Sequence, residues 1–220
     1  MLDKYKILSD KDPILGKFIS MIGELDLKKT QDYYTSLLRS IIGQQLSAKA
    51  AATIFARFTL LTNGDFTPST ILSLPDEEIR GIGISYPKIK YMKNLSQKVL
   101  DKEIDFDTLD QLDNQTVIAA LTNVKGIGKW TAEMFLIFSL GRENVLSLLD
   151  VGLQRGAKWL YNSTDEKILE IKGQNWEPYQ SIVSLYLWEA VNRSLVTTYK
   201  SFDDYIQTIE NVSNNKDDRG

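Results

Sequence analysis

The sequence predicts an all-α fold, and three observations carry that reading. Apolar residues recur at three- and four-residue spacing through nearly every segment. Helix-start signals stand ahead of several of these segments: Asp12 before Pro13, Thr67 before Pro68, and Ser47 before an alanine-rich run. No run of alternating β-branched residues interrupts them.

The first element, "DPILGKFISMIG", takes Asp12 as N-cap and Pro13 as its first helical residue. "DYYTSLLRSIIGQQL" and "SAKAAATIFARFTLL" follow, parted by Ser47, whose hydroxyl suits the N-cap of the second. "FTPSTILSL" starts at Thr67. "PDEEIRGIG" and "SYPKIKYMKNLSQKVL" come next, with Gly81 and Gly83 breaking the chain between them. "NQTVIAALTNV" runs into a Gly-x-Gly turn, and "WTAEMFLIFSLG" closes at Gly141. "VGLQRGAKWLY", "TDEKILEIKG" and "EPYQSIVSLYLWEAVNRSL" complete about ten short helices. The polar end, "NVSNNKDDRG", is expected to fray.

The 220 residues suffice for one large domain or two small lobes with a real core. A hydrophobic share of 43% and a charged share of 25% are ordinary for a globular protein. No apolar run reaches the roughly 18 residues that span a bilayer, and "MLDKYKILSDKDP" lacks the apolar core of a secretion signal. The expectation is an intracellular protein without membrane contact: cytoplasmic, at the nucleoid, in a bacterium or archaeon, and nuclear in a eukaryote.

Two absences narrow the chemistry. Without cysteine there is no disulfide, thiol nucleophile, zinc–thiolate site or cysteine-bound iron–sulfur cluster. Without histidine, Ser-His-Asp and Cys-His catalysis and the commonest transition-metal ligand are gone as well. Acid–base work therefore falls to carboxylates, lysine or tyrosine. The net charge of −3 counts against a nucleic-acid partner but does not exclude one, because a local basic patch acts within its own screening length.

The stretch "VKGIGKWTAEMF" reads as a helix, a tight turn and a second helix. Gly126 and Gly128 permit the close backbone approach such a turn needs. Ile127 can plug the turn into the core, and small Ala132 lets the two helices approach. The second helix then presents free N–H groups and a positive dipole end, a ready phosphate site, with Lys125 and Lys129 adding charge. A Gly-x-Gly alone is more often a plain helix–helix turn. With Leu121, Val124 and Ala132 around it, the pattern resembles the helix-hairpin-helix motif, which grips one DNA strand through backbone amides.

"VKGIGKWTAEMF … NVLSLLDVGLQRG" resembles the helix-hairpin-helix (HhH-GPD) DNA glycosylase superfamily, whose hairpin is followed by an essential aspartate; the matching residue is Asp150. Bifunctional members hold a lysine nucleophile where this chain has Trp130, so the resemblance implies a monofunctional enzyme. Tryptophan there is similar to the 3-methyladenine DNA glycosylase II branch, which excises alkylated bases. "LLRSIIGQQLSAKAA" resembles the same branch and gives Gln45 the role of a wedge that fills the space of a flipped nucleotide. "GISYPKIKYMKNLSQ" matches the family's stretch from Gly83 to Lys88, and "WEPYQSIVSLYLWEA" places Trp188 at the base pocket. The likeness spans roughly residues 34–195. Met134 stands where the bacterial type member has a pocket tyrosine, and the missing cysteines set the chain apart from the iron–sulfur members.

The resemblance implies a two-lobed fold with the active-site cleft between the lobes: residues 34–140 as a continuous lobe ending in the hairpin, and 1–33 plus 141–220 as the other. It implies phosphate contacts from Lys125, Gly126, Gly128, Lys129 and Thr131, and a base pocket of Trp130, Met134 and Trp188. A carboxylate under the sugar stabilises the oxocarbenium charge that develops as the base departs, and orients or deprotonates water. Asp150 suits that role, and it equally suits an N-cap for the helix that follows. The indole faces would attract a cationic alkylated purine, the plainer alternative for both tryptophans being a place in the core; Gln45 read alone is a polar residue near a helix end. Glu133 and Asp32 read as solvated surface.

The expected partner is duplex DNA with alkylated bases, met by a monomer. No cofactor or catalytic metal is expected, apart from a monovalent cation that the family often carries on the hairpin carbonyls. Two other readings stay open, a non-catalytic hairpin module and a glycosylase for deaminated purines.

Overall fold

The computed structural model describes residues 3–30 and 32–217. Among these residues the chain forms fourteen α-helices and no strand. They are α1 (Lys4–Lys11), α2 (Pro13–Ile22), α3 (Tyr33–Gly43), α4 (Ala48–Leu61), α5 (Pro68–Ser73), α6 (Asp76–Gly81) and α7 (Tyr86–Leu100). After them come α8 (Asn114–Thr122), α9 (Lys129–Phe138), α10 (Val151–Leu160), α11 (Ile168–Gly173), α12 (Gln180–Asn192), α13 (Leu195–Thr198) and α14 (Phe202–Asp217). Short 3-10 turns lie at Leu109–Gln111 and Gln174–Trp176.

The start signals act where the sequence places them. Asp12, Ser47 and Thr67 each accept a hydrogen bond from a backbone N–H three residues on, at Leu15, Ala50 and Thr70. Asp12 also closes α1, its backbone N–H donating to the Leu8 carbonyl. Its buried carboxylate then takes hydrogen bonds from the Tyr161 hydroxyl (2.6 Å) and the Trp176 indole (3.4 Å).

The sequence expected about ten helices and missed α1, α13 and α14. Asp3 caps α1 by accepting from the N–H groups of Tyr5 and Lys6. In the polar end, which the sequence expected to fray, α14 continues to Asp217. The Ser201 hydroxyl accepts from Asp204 N–H at 3.3 Å, and Asp203 and Asp204 in the first turn complement the helix dipole. Residues 218–220 lie outside the described residues.

The chain divides into two compact units. The first runs to Leu27 and resumes at Arg142. Phe18 is its hub, meeting Trp159 (5.6 Å), Tyr186 (6.4 Å) and Phe202 (5.3 Å) edge-on; Leu8, Leu15, Leu153 and Trp176 are buried in the same core. In this unit α10 packs on α12. They approach so closely at Gly156 that a Cβ there would lie 2.8 Å from the Leu187 carbonyl oxygen. That contact sets the start of α10 beside Trp188.

The second unit is Lys28–Gly141. Its first break falls at 27/28, whereas the sequence placed it at 33/34. Lys29 belongs with this unit because its ammonium pairs with Asp110 at 3.0 Å and lies over the Tyr33 ring. Within the unit α7 packs against α3, α5 and α6, burying Ile89, Met92 and Leu95, while α8 packs on α9. Tyr34 reaches across from α3 to the Ser96 hydroxyl of α7 at 2.6 Å, inside the core.

Candidate active site

In the first unit, Asp150 is the N-cap of α10 and only 8% exposed. Its Oδ1 accepts from the Leu153 N–H at 2.8 Å and from the Trp188 indole N–H at 3.1 Å. The capping reading of Asp150 therefore holds, and the same oxygen is oriented by a tryptophan. Trp188 is half-buried on α12 and acts here through its N–H, a contact that spacing alone does not reveal.

In the second unit the hairpin closes through Ile127 N–H donating to the Val124 carbonyl at 3.0 Å. Ile127 is buried beneath the turn. Gly126 has φ +93°, and a Cβ there would lie 2.2 Å from the Tyr91 ring, so conformation and space both demand glycine. Gly128 is the N-cap of α9 and brings no side chain to it, while the space beside its α-carbon is open. The first turn of α9 thus starts at an open position flanked by exposed Lys125 and Lys129. Trp130, also in that turn, is 46% exposed.

One turn further along α9, Met134 lines a cavity of about 200 Å³ between α9 and α3, with Thr131, Phe135 and Phe138 from its own helix and Ser36, Leu37, Arg39 and Ser40 opposite. Arg39 is held over the Phe55 ring, 3.9 Å from its centroid. At the end of α3 the chain turns through Gln45, which is exposed and takes φ +57°. A non-glycine residue in this left-handed region is uncommon, and such positions concentrate at working sites.

Residues 38–180 match the family model described as HhH-GPD superfamily base excision DNA repair protein. The chain belongs to the HhH-GPD superfamily. It is 31% identical over 191 residues to DNA-3-methyladenine glycosylase 1 of Schizosaccharomyces pombe, covering 83% of this chain and 84% of that protein. A crystal structure of a DNA-3-methyladenine glycosidase from Bacillus halodurans superposes with a TM-score of 0.84 at 41% identity, covering 93% and 95% of the two chains. A Schizosaccharomyces pombe 3-methyladenine DNA glycosylase, solved in complex with abasic DNA, gives a TM-score of 0.78 at 29% identity over 86% and 96%.

Within this HhH-GPD chain the residues singled out by sequence fall into two sets. Asp150 and Trp188 meet in one unit; the hairpin, Trp130, Met134 and Gln45 belong to the other. Thr131, grouped by sequence with the phosphate contacts, is 5% exposed and its side chain lines the α3–α9 cavity. Only its backbone N–H belongs to the first turn of α9. Glu133 is 6% exposed, not solvated surface, and lies 3.8 Å from the Lys129 ammonium. Asp32 is an exposed N-cap that accepts from Thr35 N–H. A monovalent cation at the hairpin would find backbone carbonyls; those of Val124 and Gly126 each accept one hydrogen bond, from Ile127 N–H and the Gln44 side chain, and keep a second lone pair.

Sequence reasoning missed Gln44, Tyr91 and Asn94. Gln44 Nε2 donates to the Gly126 carbonyl at 2.8 Å, and Lys125 N–H donates to Asn94 Oδ1 at 3.0 Å. The available signal was the three- and six-residue spacing of Tyr91 and Asn94 from Lys88, one strip of a helix with two polar members.

Proposed function

We propose that this chain is a monofunctional DNA glycosylase that hydrolyses the N-glycosidic bond of alkylated purines in duplex DNA. The observation that carries the proposal is the Asp150 carboxylate, fixed by Leu153 N–H and the Trp188 indole at the start of α10. Kinship to 3-methyladenine glycosylases supports the substrate class. Alkylation at N3 or N7 leaves a purine cationic. It departs with the bonding electrons of the C1′–N bond as a neutral base, so no general acid is required. A chain without histidine or cysteine can therefore perform the reaction. The positive charge passes to the sugar, where a fixed carboxylate stabilises it. Water then adds at C1′ and yields its proton to Asp150 or to solvent.

The base must leave the stack before any of this. The exposed face of Trp130 offers a surface for an electron-poor ring, and Gln45 would fill the vacated space. Lys125, Lys129 and the first-turn amides of α9 would hold the phosphate. Having no lysine at position 130, the chain has no amine there to form a Schiff base and nick the strand.

Release of free base from methylated duplex DNA, by wild type and Asp150→Asn, tests the proposal. Asparagine keeps an oxygen that can cap α10, so DNA binding should persist while release falls by about 10²-fold or more. Unchanged release by the variant would sink the mechanism. Wild-type protein that binds without releasing base would be a hairpin module, and release of deaminated bases instead would move it to another substrate class.

A further inference from the structure

The ammonium of half-buried Lys88, on α7, faces no carboxylate in its two hydrogen bonds. Its Nζ donates to the carbonyls of Ile42 (2.8 Å) and Gln44 (2.6 Å), at the last turn of α3. Burial pulls its pKa below the ordinary lysine value, a cost that a helix end alone does not demand, since solvent or a glycine can close one. The carbonyls it holds belong to the turn that forces Gln45 into the left-handed region. On the other side of that turn Leu46 N–H donates to the Gly43 carbonyl at 3.1 Å.

The same strip of α7 continues to the hairpin. Tyr91, one turn on, lays its ring against Gly126, and Asn94, nearly another turn on, accepts from Lys125 N–H. Gln44 closes the circuit by donating to the Gly126 carbonyl. Lys88, Gln44, Gly126 and α7 thus tie two separate loops into one body: the turn carrying Gln45 and the turn that would meet a phosphate.

We infer that Lys88 is a positioning residue for lesion capture, locking the Gln45 turn to the hairpin so that wedge insertion is held in register with the phosphate grip. This rests on the reading of Gln45 as the wedge. Without the Lys88 ammonium the Gln44 carbonyl is released and Gln45 can relax from its left-handed backbone. The hairpin keeps its own contacts through Tyr91 and Asn94, so the grip survives while the wedge loses its direction.

The test uses the full chain and a duplex carrying an abasic-site analogue beside 2-aminopurine, whose fluorescence rises when its stacking is broken. Affinity for undamaged duplex, single-turnover base release from methylated duplex and thermal melting are read alongside. Lys88→Met should cut the fluorescence rise and the release rate by roughly 10- to 100-fold, as a displaced group does. Undamaged-duplex affinity should stay within about twofold, because the phosphate contacts remain. Lys88→Arg, which keeps the charge, should recover part of the loss. Wild-type fluorescence and release in Lys88→Met would overturn the role, as would a loss of undamaged binding and melting temperature in step with release. Gln44→Met cuts the same circuit without touching the ammonium. It should give the same split in smaller measure, and wild-type behaviour there would overturn the coupling even if Lys88→Met does not fold. Gln45→Ala separates the two readings. If it leaves the fluorescence unchanged, the wedge assignment fails and the positioning role with it. If it abolishes the rise while Lys88→Met does not, the positioning role alone fails.

Discussion

Tyr34 shows how a single buried phenol sets part of the pH response. Its hydroxyl meets Ser96 Oγ, which already donates its one proton to the Met92 carbonyl, so the phenol must be the donor. Burial pushes the Tyr34 pKa up to about 12, from an ordinary 10. In that window the unfolded chain loses the proton before the folded one, so stability falls as pH rises through it and is fully present below pH 10. Tyr34→Phe should lose about 1 kcal/mol at neutral pH, for one hydrogen bond. It should also flatten the fall in melting temperature between neutral pH and pH 11; a slope equal to wild type would refute the assignment. The roles that sequence could suggest were those tied to local grammar, such as Asp150 ahead of a helix. Contacts between elements were hidden: nothing in the spacing of Trp188 says that its N–H meets Asp150, and nothing in an acidic residue at 133 says that it is buried.

Among the elements, the hairpin was legible because glycine is chemically singular there, whereas its supports on α7 use residue types found on any helix. The helices missed by sequence were missed for a related reason. α1 carries few apolar residues, and the end of α14 is written in asparagine, serine and charge, so its helicity comes from propagation beyond a packed first half. Gly126→Ala tests the hairpin as an element. The new methyl would meet the Tyr91 ring, and φ +93° penalises any side chain. The expected loss is about 2–4 kcal/mol in stability, with weakened duplex binding. Thermal melting and a duplex titration check both, and wild-type values in the two would show that the turn yields freely.

For the whole molecule, the net charge of −3 sets a weak repulsion from DNA, screened over about 10 Å at moderate salt. Attraction therefore depends on local cations, Lys125 and Lys129 first among those proposed. Lys129 is only loosely held by Glu133 at 3.8 Å and can turn to a phosphate. The double variant Lys125→Gln, Lys129→Gln should lower the slope of log affinity against log salt by about 2, since each phosphate left without its cation removes about 0.9. An unchanged slope would place the phosphate grip elsewhere. The overall helical character and the hairpin's address were readable from periodicity and glycine. The division of the chain at 27/28 was not, since it depends on Lys29 reaching Asp110. The interrupted first unit also has a history written into it. On the ribosome, Phe18 is made early, but Trp159, Tyr186 and Phe202, the rings it needs, are made only after the whole second unit. At ordinary synthesis rates that is a delay on the order of ten seconds. Through it the nascent chain carries an apolar N-terminal segment in search of a partner, while the domain that interrupts it can already be folding.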